Sequence, residues 1–483
     1  MTSSIPEDAL GEFERQSEVG QVSRPGRCDY DAVKQVYTIA GANNWGKQDA
    51  FHFVWKRIKG NFIVTMRAEF IGAGVNPLRK LGWMARSSLE DNSTYVSPAI
   101  HGDGRIALQF RREAGGPTEE IWATLSMADV IQLERKGNSY TMSVARFGEP
   151  FEMVRASEIY LEEEIYIGLF VCAHENELIE QAIFRDVRIV RPVKDGFERG
   201  KDPFGSHLEI LDIASGHRQI IYSAEHVFEA PNWTRDGKAL IFNQDGRLYR
   251  FDLAMGTPSL IDTGVVVKNN NDHVLSSDGS RLGISSHGEE DGLSRVYTVP
   301  LQGGKPKLVM PKGPSYLHGW SPDGKFLVYT GQRNGQYDIF RVPVEGGEEE
   351  QLTNTPGLDD GPEYTPDGRY IYFNSVRTGG MQVWRMRPDG SRQEQLTDDE
   401  YNNWFPHISP DGKLVVFISY LVGEVAPSDH PAAKRVYLRT IPLDGGKPKV
   451  LAYLYGGQGT MNVPSWSPDG RRLAFVSNTV PSR

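Results

Sequence analysis

Apolar and polar residues alternate with a period of two in short runs along almost the whole chain, and a helical period is nowhere sustained. From about residue 28 to 195 the runs include NFIVTMRAEF, KLGWMARSSL, RIALQFRR, NSYTMSVARF, EIYIGLFVCA and AIFRDVRIV. Each predicts a strand with one face toward a core, and many such strands without helices predict an antiparallel sandwich. The stretch VKDGFERGKDPFGSH is charged and punctuated by Gly and Pro, which marks a linker. The predicted division is an N-terminal extension over 1–27, a sandwich over 28–195, a linker over 196–207 and a second all-β domain over 208–483.

The second domain is built from a repeat. NWTRDGKALIF, VLSSDGSRLGI, GWSPDGKFLVY, EYTPDGRYIYF, HISPDGKLVVF and SWSPDGRRLAF share an Asp-Gly turn between two strands, at Asp236, Asp278, Asp323, Asp367, Asp411 and Asp469. The separations of 42, 45, 44, 44 and 58 residues match one four-stranded propeller blade of about 40–50 residues. Six copies predict six blades. In the fourth, Gly368 supplies the positive φ that closes the hairpin and Pro366 pre-sets its backbone. Aspartates repeated at six blade edges are turn formers, since six copies cannot serve one site. After Asp469 only one strand remains, so the last blade lacks its outer pair. LEILDI (208–213) and RQIIYS (218–223) supply it, closing the ring by shared strands and leaving no open sheet edge.

The SPDG-type turns, the tryptophans Trp233, Trp320 and Trp466 before them, and the GG turns at Gly303-Gly304, Gly346-Gly347 and Gly445-Gly446 resemble TolB-family propeller repeats of the PD40 (WD40-like) kind, over about 200–483. The α/β domain that precedes the propeller in TolB itself has no counterpart, so the resemblance does not carry the TolB role in the Tol-Pal envelope system. The succession IQLERKGNSYTMSVARFGEPF, YIGLFVCAHE and AIFRDVRIVRP is similar to the end of concanavalin-like (laminin-G or DUF1349-like) jelly rolls. Together the resemblances imply an all-β chain, a jelly-roll sandwich followed by a six-bladed propeller, with a carbohydrate-binding-like first domain.

Composition narrows the function. The 53 Lys+Arg against 63 Asp+Glu leave a net charge of −10, which argues against a general binder of nucleic acid or anionic membrane. The 51 Gly and 29 Pro fit a chain rich in tight turns. The longest apolar stretch, LVVFISYLV (414–422), is far short of the roughly 20 residues of a membrane-spanning helix. Two cysteines, Cys28 and Cys172, make no disulfide framework and no zinc-type cluster. The first residues, MTSSIPEDALGEFERQ, lack a signal peptide's charge and apolar core. The chain as written therefore reads as cytoplasmic, or as exported if it is a mature form.

Candidate chemistry lies on the loops leading into each inner strand, which converge at one mouth of the channel. Five residues before each turn aspartate stand Pro231, His273, His318, Pro362, Pro406 and Pro464. Two residues earlier stand Glu229, Asn271, Tyr316, Asp360, Trp404 and Asn462, a polar and aromatic funnel that would contact a ligand. His273 and His318, with Asp272, His287 or Asp360 nearby, have the residue types to hold a divalent metal ion or to act as a base and acid pair. The alternative, that both histidines satisfy backbone groups at a wet channel mouth, stands beside it. Arg333, Arg377 and Lys434 are placed to pair with a substrate carboxylate. The long fifth unit carries YLVGEVAPSDHPAAK (420–434), a lid with His430, or a tolerated loop extension. In the sandwich, Trp45, Trp55, Trp83, Tyr95, His101 and Trp122 are candidates to stack on sugar rings, against the alternative of core aromatics. No P-loop, GxSxG or HExxH motif is present. Two functions fit: recognition of a glycan or protein partner at the propeller mouth, or a polysaccharide-degrading enzyme whose resemblance to oligogalacturonate lyases implies metal-assisted chemistry there.

Overall fold

The computed structural model describes residues 10–43 and 48–482, and among them there is no α-helix. The chain divides into two compact units, Met1–Pro192 and Val193–Arg483.

The first unit consists of two seven-stranded antiparallel sheets. One runs Arg15–Val19, Phe51–Lys59, Glu164–Cys172, Lys80–Arg86, Tyr95–His101, Ile106–Arg111, Glu119–Trp122. The other runs Glu152–Ala156, Ser139–Ala145, Val130–Lys136, Phe62–Ile71, Glu175–Val190, Val36–Asn43, Arg27–Asp31. Alternate residues of facing strands, such as Leu81, Trp83 and Ala85 against Val64, Met66 and Ala68, meet in one core. The expected extension over 1–27 is corrected by Arg15–Val19, a strand paired with Phe51–Lys59. Its sequence RQSEV carries one apolar residue, so hydrophobic alternation does not mark it. Side chains hold it instead: Trp55 Nε1 donates to Ser17 Oγ at 3.0 Å, Cys28 N to Gln16 Oε1 at 2.8 Å and Gly26 N to Glu18 Oε1 at 2.6 Å.

The second unit is a six-bladed propeller: five four-stranded antiparallel sheets and one sheet closed by strands from both ends. Every blade turn uses the same four groups. The Ser or Thr two residues before the aspartate donates its hydroxyl to that carboxylate, from 2.5 Å at Ser467–Asp469 to 2.7 Å at Ser276–Asp278. The carboxylate also accepts the backbone N–H two residues on, as at Lys238 and Arg369. The hydroxyl in turn accepts the N–H that opens the second strand, as at Ala239 and Tyr370. These bonds hold the Asp278 carboxyl down at about 2. Gly368 takes φ +69°, the left-handed conformation the hairpin needs. Neighbouring blades are joined by indole N–H groups of core tryptophans. Trp320 Nε1 donates to Val274 O at 2.9 Å, and Trp466 Nε1 to His407 O at 3.1 Å.

Closure comes from Gly205–Asp212, which lies between Arg218–Ala224 and Arg472–Thr479 with Leu208 opposite Val476 and Ile210 opposite Ala474. The strand begins inside the expected linker, whose remaining residues belong to the propeller unit. Leu208, Ala474 and Val476 pack with Phe228, Trp233 and Phe242 of the first blade, so the junction shares that blade's core. The innermost strand of the last blade is reduced to the Trp466–Leu473 bridge. Truncation after Arg471 should remove the cooperative thermal unfolding of the propeller, because it exposes this core and two sheet edges at once. Differential scanning calorimetry checks this. A truncated chain that keeps the propeller transition would contradict shared-strand closure.

Candidate functional site

The inner strands are irregular where they approach the channel mouth. Blade 3 pairs Leu317 with Tyr329 and Gly319 with Val328, so His318 is the extra residue of a bulge. In blade 2 the irregularity falls earlier, between Asn269 and His273, leaving Asn270, Asn271 and Asp272 out of the ladder while His273 pairs regularly with Ile284. Positions equidistant from the Asp-Gly turn are therefore not equivalent in space. Where the aligned residue is proline, a left-handed residue precedes it in three blades: Ala230 (φ 55°), Gly361 (φ 63°) and Phe405 (φ 55°).

The bulges open a cavity of about 430 Å³. Asn271, Tyr316, Asp360 and Asn462 of the expected funnel line it, with Asp272, His287, His318 and His430. Trp404 and Glu229 do not. Trp404 is fully buried behind Phe405 and His430, its ring 4.3 Å from the His430 imidazole. Glu229 lines a neighbouring cavity. The loop between Leu414–Tyr420 and Lys434–Pro442 brings Ser428 and His430 to the mouth, where His430 Nδ1 lies 2.6 Å from Gln458 Oε1.

His318 is the centre of the site. Its Nε2 lies 3.3 Å from Asp360 Oδ1, and its ring stacks on Phe405 at 5.9 Å. Asp360 is fixed from two further sides, accepting Thr330 Oγ1 at 2.7 Å and Gly361 N at 2.8 Å. All three ionisable groups are enclosed: Asp272 is 5%, His318 3% and Asp360 9% exposed. Burial pushes the Asp272 carboxyl up to about 7, with the Asp360 and Glu229 charges adding and the His318 charge opposing. Burial disfavours both the His318 cation and the Asp360 anion, but the Asp272 charge and then the bond and charge of Asp360 raise the imidazole, while the bond and charge of His318 hold the Asp360 carboxyl down. The arrangement pairs a fixed carboxylate with an imidazole whose hold on its proton is strengthened, and sets beside them a carboxyl that exchanges its proton near neutrality.

Of the remaining expected histidines and cations, only His287 lines the cavity. His273 is turned away, its Nε2 3.2 Å from Ile241 O, and enclosure lowers its pKa to about 4. His287 is exposed and has its Nδ1 2.9 Å from Gly292 O. The two imidazoles thus do not form a pair, and among the described residues no group of three or more His, Cys, Asp or Glu side chains is arranged to hold a metal ion. A divalent metal does not fit these residues. Arg333 is engaged by Glu349 at 2.7 Å and Arg377 by Asp359 at 2.7 Å, within their own blades. Neither, nor Lys434, lines the cavity. In the first unit Trp83 sits in the core, Trp55 and Tyr95 in a second buried cluster, and His101 against the partly exposed Trp122 at 5.1 Å. Trp45 lies outside the described residues. Sequence reading undervalued Asp272, whose only signal is its place between two Asn and a His in NNNDH, and missed Thr330, Phe405 and Gln458, which mark themselves by no residue pattern.

Among known proteins, the family described as TolB beta propeller domain matches residues 312–434. An uncharacterized protein of Agrobacterium fabrum is 47% identical over 272 residues, 56% of this chain and 92% of its own. A solved structure of a candidate TolB from Agrobacterium tumefaciens is 46% identical with a TM-score of 0.55, covering 58% of this chain and 99% of its own. TolB from Acinetobacter baumannii is similar at 15% identity and a TM-score of 0.43, covering 68% of this chain and 79% of its own.

Asp272 gives the site a pH signature. Its folded-state pKa near 7 lies above the roughly 3.9 of an unfolded aspartate, so its contribution to stability is complete below about pH 4 and lost as pH rises through 7. Asp272→Asn should flatten that part of the stability profile. Melting temperatures of both proteins across this window check it, and parallel profiles would contradict the buried carboxyl.

Proposed function

Because the chain belongs to the TolB-like β-propeller family, we propose that it recognises a small neutral glycan unit in the cavity at the mouth of its propeller channel. One observation carries this reading: the lining of the cavity. Amides and hydroxyls of Asn270, Asn271, Thr330, Gln458 and Asn462 provide donors and acceptors, and Tyr316, Tyr337 and Phe405 provide apolar faces. A sugar ring needs both kinds of surface, hydroxyls to bond and C–H faces to stack. The volume, about 430 Å³, falls in the roughly 300–1,000 Å³ range of small-ligand pockets. Asp272 and Asp360, with no Arg or Lys in the lining, disfavour a uronic acid, since its carboxylate would be a third acidic group beside the two already there. Recognition of a protein partner uses the same mouth, with a polar side chain in place of the sugar.

The first unit is proposed to be a concanavalin-like jelly roll adding a second glycan-contacting surface. Its two seven-stranded antiparallel sheets about one core support that reading. The acidic net charge supports a partner other than nucleic acid, and no helix among the described residues is long and apolar enough to cross a membrane.

A second reading, an enzyme acting on a polysaccharide, is favoured by the juxtaposition of Asp272 and His318. Asp272 exchanges its proton near neutrality, as general acid–base chemistry requires, and the His318 imidazole held by Asp360 offers a second proton-transfer group beside it. No metal enters this version.

Calorimetric titration of the full chain with neutral and uronic oligosaccharides tests the proposal. A neutral saccharide should bind, and Asp360→Asn, which removes a charged hydrogen-bonding group from the lining, should weaken it at least about tenfold. Binding of uronic oligosaccharides alone, or undiminished binding by the variant, would overturn it. Release of reducing ends from the bound saccharide, abolished by Asp272→Asn, would select the enzyme.

A further inference from the structure

The His318 cavity does not take in the whole mouth. Its lining comes from the second to the sixth blades, while the first blade contributes to a neighbouring cavity of about 570 Å³. The two share a wall, because Asn270, Asn271 and Gln458 line both. Asn270 is tied down, its Oδ1 accepting Asp272 N at 3.0 Å. Asn271 is not. It is only 6% exposed, yet among the described residues its side-chain amide has no hydrogen-bond partner, and neither of its polar atoms is fully enclosed. Gln458 approaches from the last blade, on the other side of the first, and its amide has a fixed orientation. Gly459 N donates to Asn462 Oδ1 at 2.7 Å, so Asn462 Nδ2 is the donor to Gln458 Oε1 at 3.0 Å, and the same oxygen lies 2.6 Å from His430 Nδ1. The Gln458 oxygen is thereby engaged within the protein. Its Nε2, with two N–H groups, has no partner among the described residues and is not enclosed.

Free amide groups of both polarities therefore stand where the cavities meet: a donor and acceptor on Asn271, and donors on Gln458. A hydroxyl matches either kind, being donor and acceptor at once. We propose that the two cavities are consecutive subsites of one groove for a linear neutral oligosaccharide, with Asn271 and Gln458 holding hydroxyls on either side of the linkage that crosses the shared wall. The proposal rests on the glycan reading of the His318 cavity and extends it from one unit to a chain. Each volume falls in the roughly 300–1,000 Å³ range of small-ligand pockets, so each accepts a unit of its own. Charge acts in the same sense along the groove. The second cavity sets Asp202, Glu225, Glu229 and Asp245 against Arg199 alone, and the first sets Asp272 and Asp360 against no Arg or Lys. An anionic chain is opposed at both subsites and a neutral one is not. Once one unit is held, the next binds intramolecularly, so affinity rises with chain length.

The test is calorimetric titration of the full chain with the cello-, malto- and xylo-oligosaccharide series, each as monosaccharide and tetrasaccharide, and the quantity read is the ratio of the two affinities within a series. In at least one series the tetrasaccharide should bind at least about tenfold more tightly than its monosaccharide. Asn271→Ala removes the free amide at the shared wall and should cut that ratio at least about threefold, the share of one or two hydrogen bonds. His226 is exposed and lines the second cavity alone, so His226→Trp fills that subsite from a position that folding does not depend on, and should bring the ratio close to one. Binding of a monosaccharide with no gain from length, or a gain that either variant leaves intact, would overturn the two-subsite groove while the single-cavity reading stands. Absence of binding by every saccharide would overturn both.

Discussion

The candidate site depends on one interaction, the antiparallel pairing of Gly205–Asp212 with Arg472–Thr479. Residues at the channel mouth come from loops about 44 positions apart along the chain and are neighbours because successive blades pack side by side in a closed ring. His318 and Asp360 meet across two blades, and Gln458 reaches His430 from a third segment. The same pairing places the last blade against the first, where Asn232 Nδ2 bonds Pro464 O and Ser465 Oγ bonds Pro231 O at 2.9 Å. Loss of the closing strand would therefore disturb both cavities before any lining residue changed.

Closure also explains how the propeller tolerates buried polarity. Each blade edge repeats a hydroxyl–carboxylate turn that satisfies its own backbone donors. Deeper in, Glu363 accepts from Ile408 N at 3.2 Å and lies 2.5 Å from His407 Nδ1, coupling two blades through a carboxylate. Such groups are held by fixed partners on rigid strands, so they act as structure. The mouth differs because irregularities lift Asp272 and His318 out of the ladder, and an enclosed carboxyl keeps its proton to higher pH than a solvated one. Rigid blades and irregular rims divide the work of stability and recognition.

Much of this architecture is legible in the amino-acid sequence. The six Asp-Gly turns carry their own signal, since a Ser or Thr, an Asp and a Gly at set spacing encode a local hydrogen-bond pattern that does not depend on tertiary context. The shared-strand closure follows from counting strands after Asp469. The site is less legible, because a bulge shifts which face a side chain occupies without altering the spacing to the turn. His273 and His318 align in sequence, yet the first pairs within the ladder and the second is extruded from it. Arg333 and Arg377 look unengaged in sequence because Glu349 and Asp359 lie 16 and 18 residues away, a pairing set by blade geometry. The strand Arg15–Val19 escapes notice for a related reason, being held by side-chain bonds more than by apolar contact.

Native-state hydrogen exchange at the closing strands is the most direct measurement of the central claim. If ring closure holds the mouth together, the amides of Leu208, Ile210, Ala474 and Val476 should exchange only through global unfolding of the propeller, at the rate of the inner strands of the middle blades. Exchange at these four positions orders of magnitude faster, with the middle blades still protected, would show that the ring opens at its seam while the blades persist, and would contradict the account.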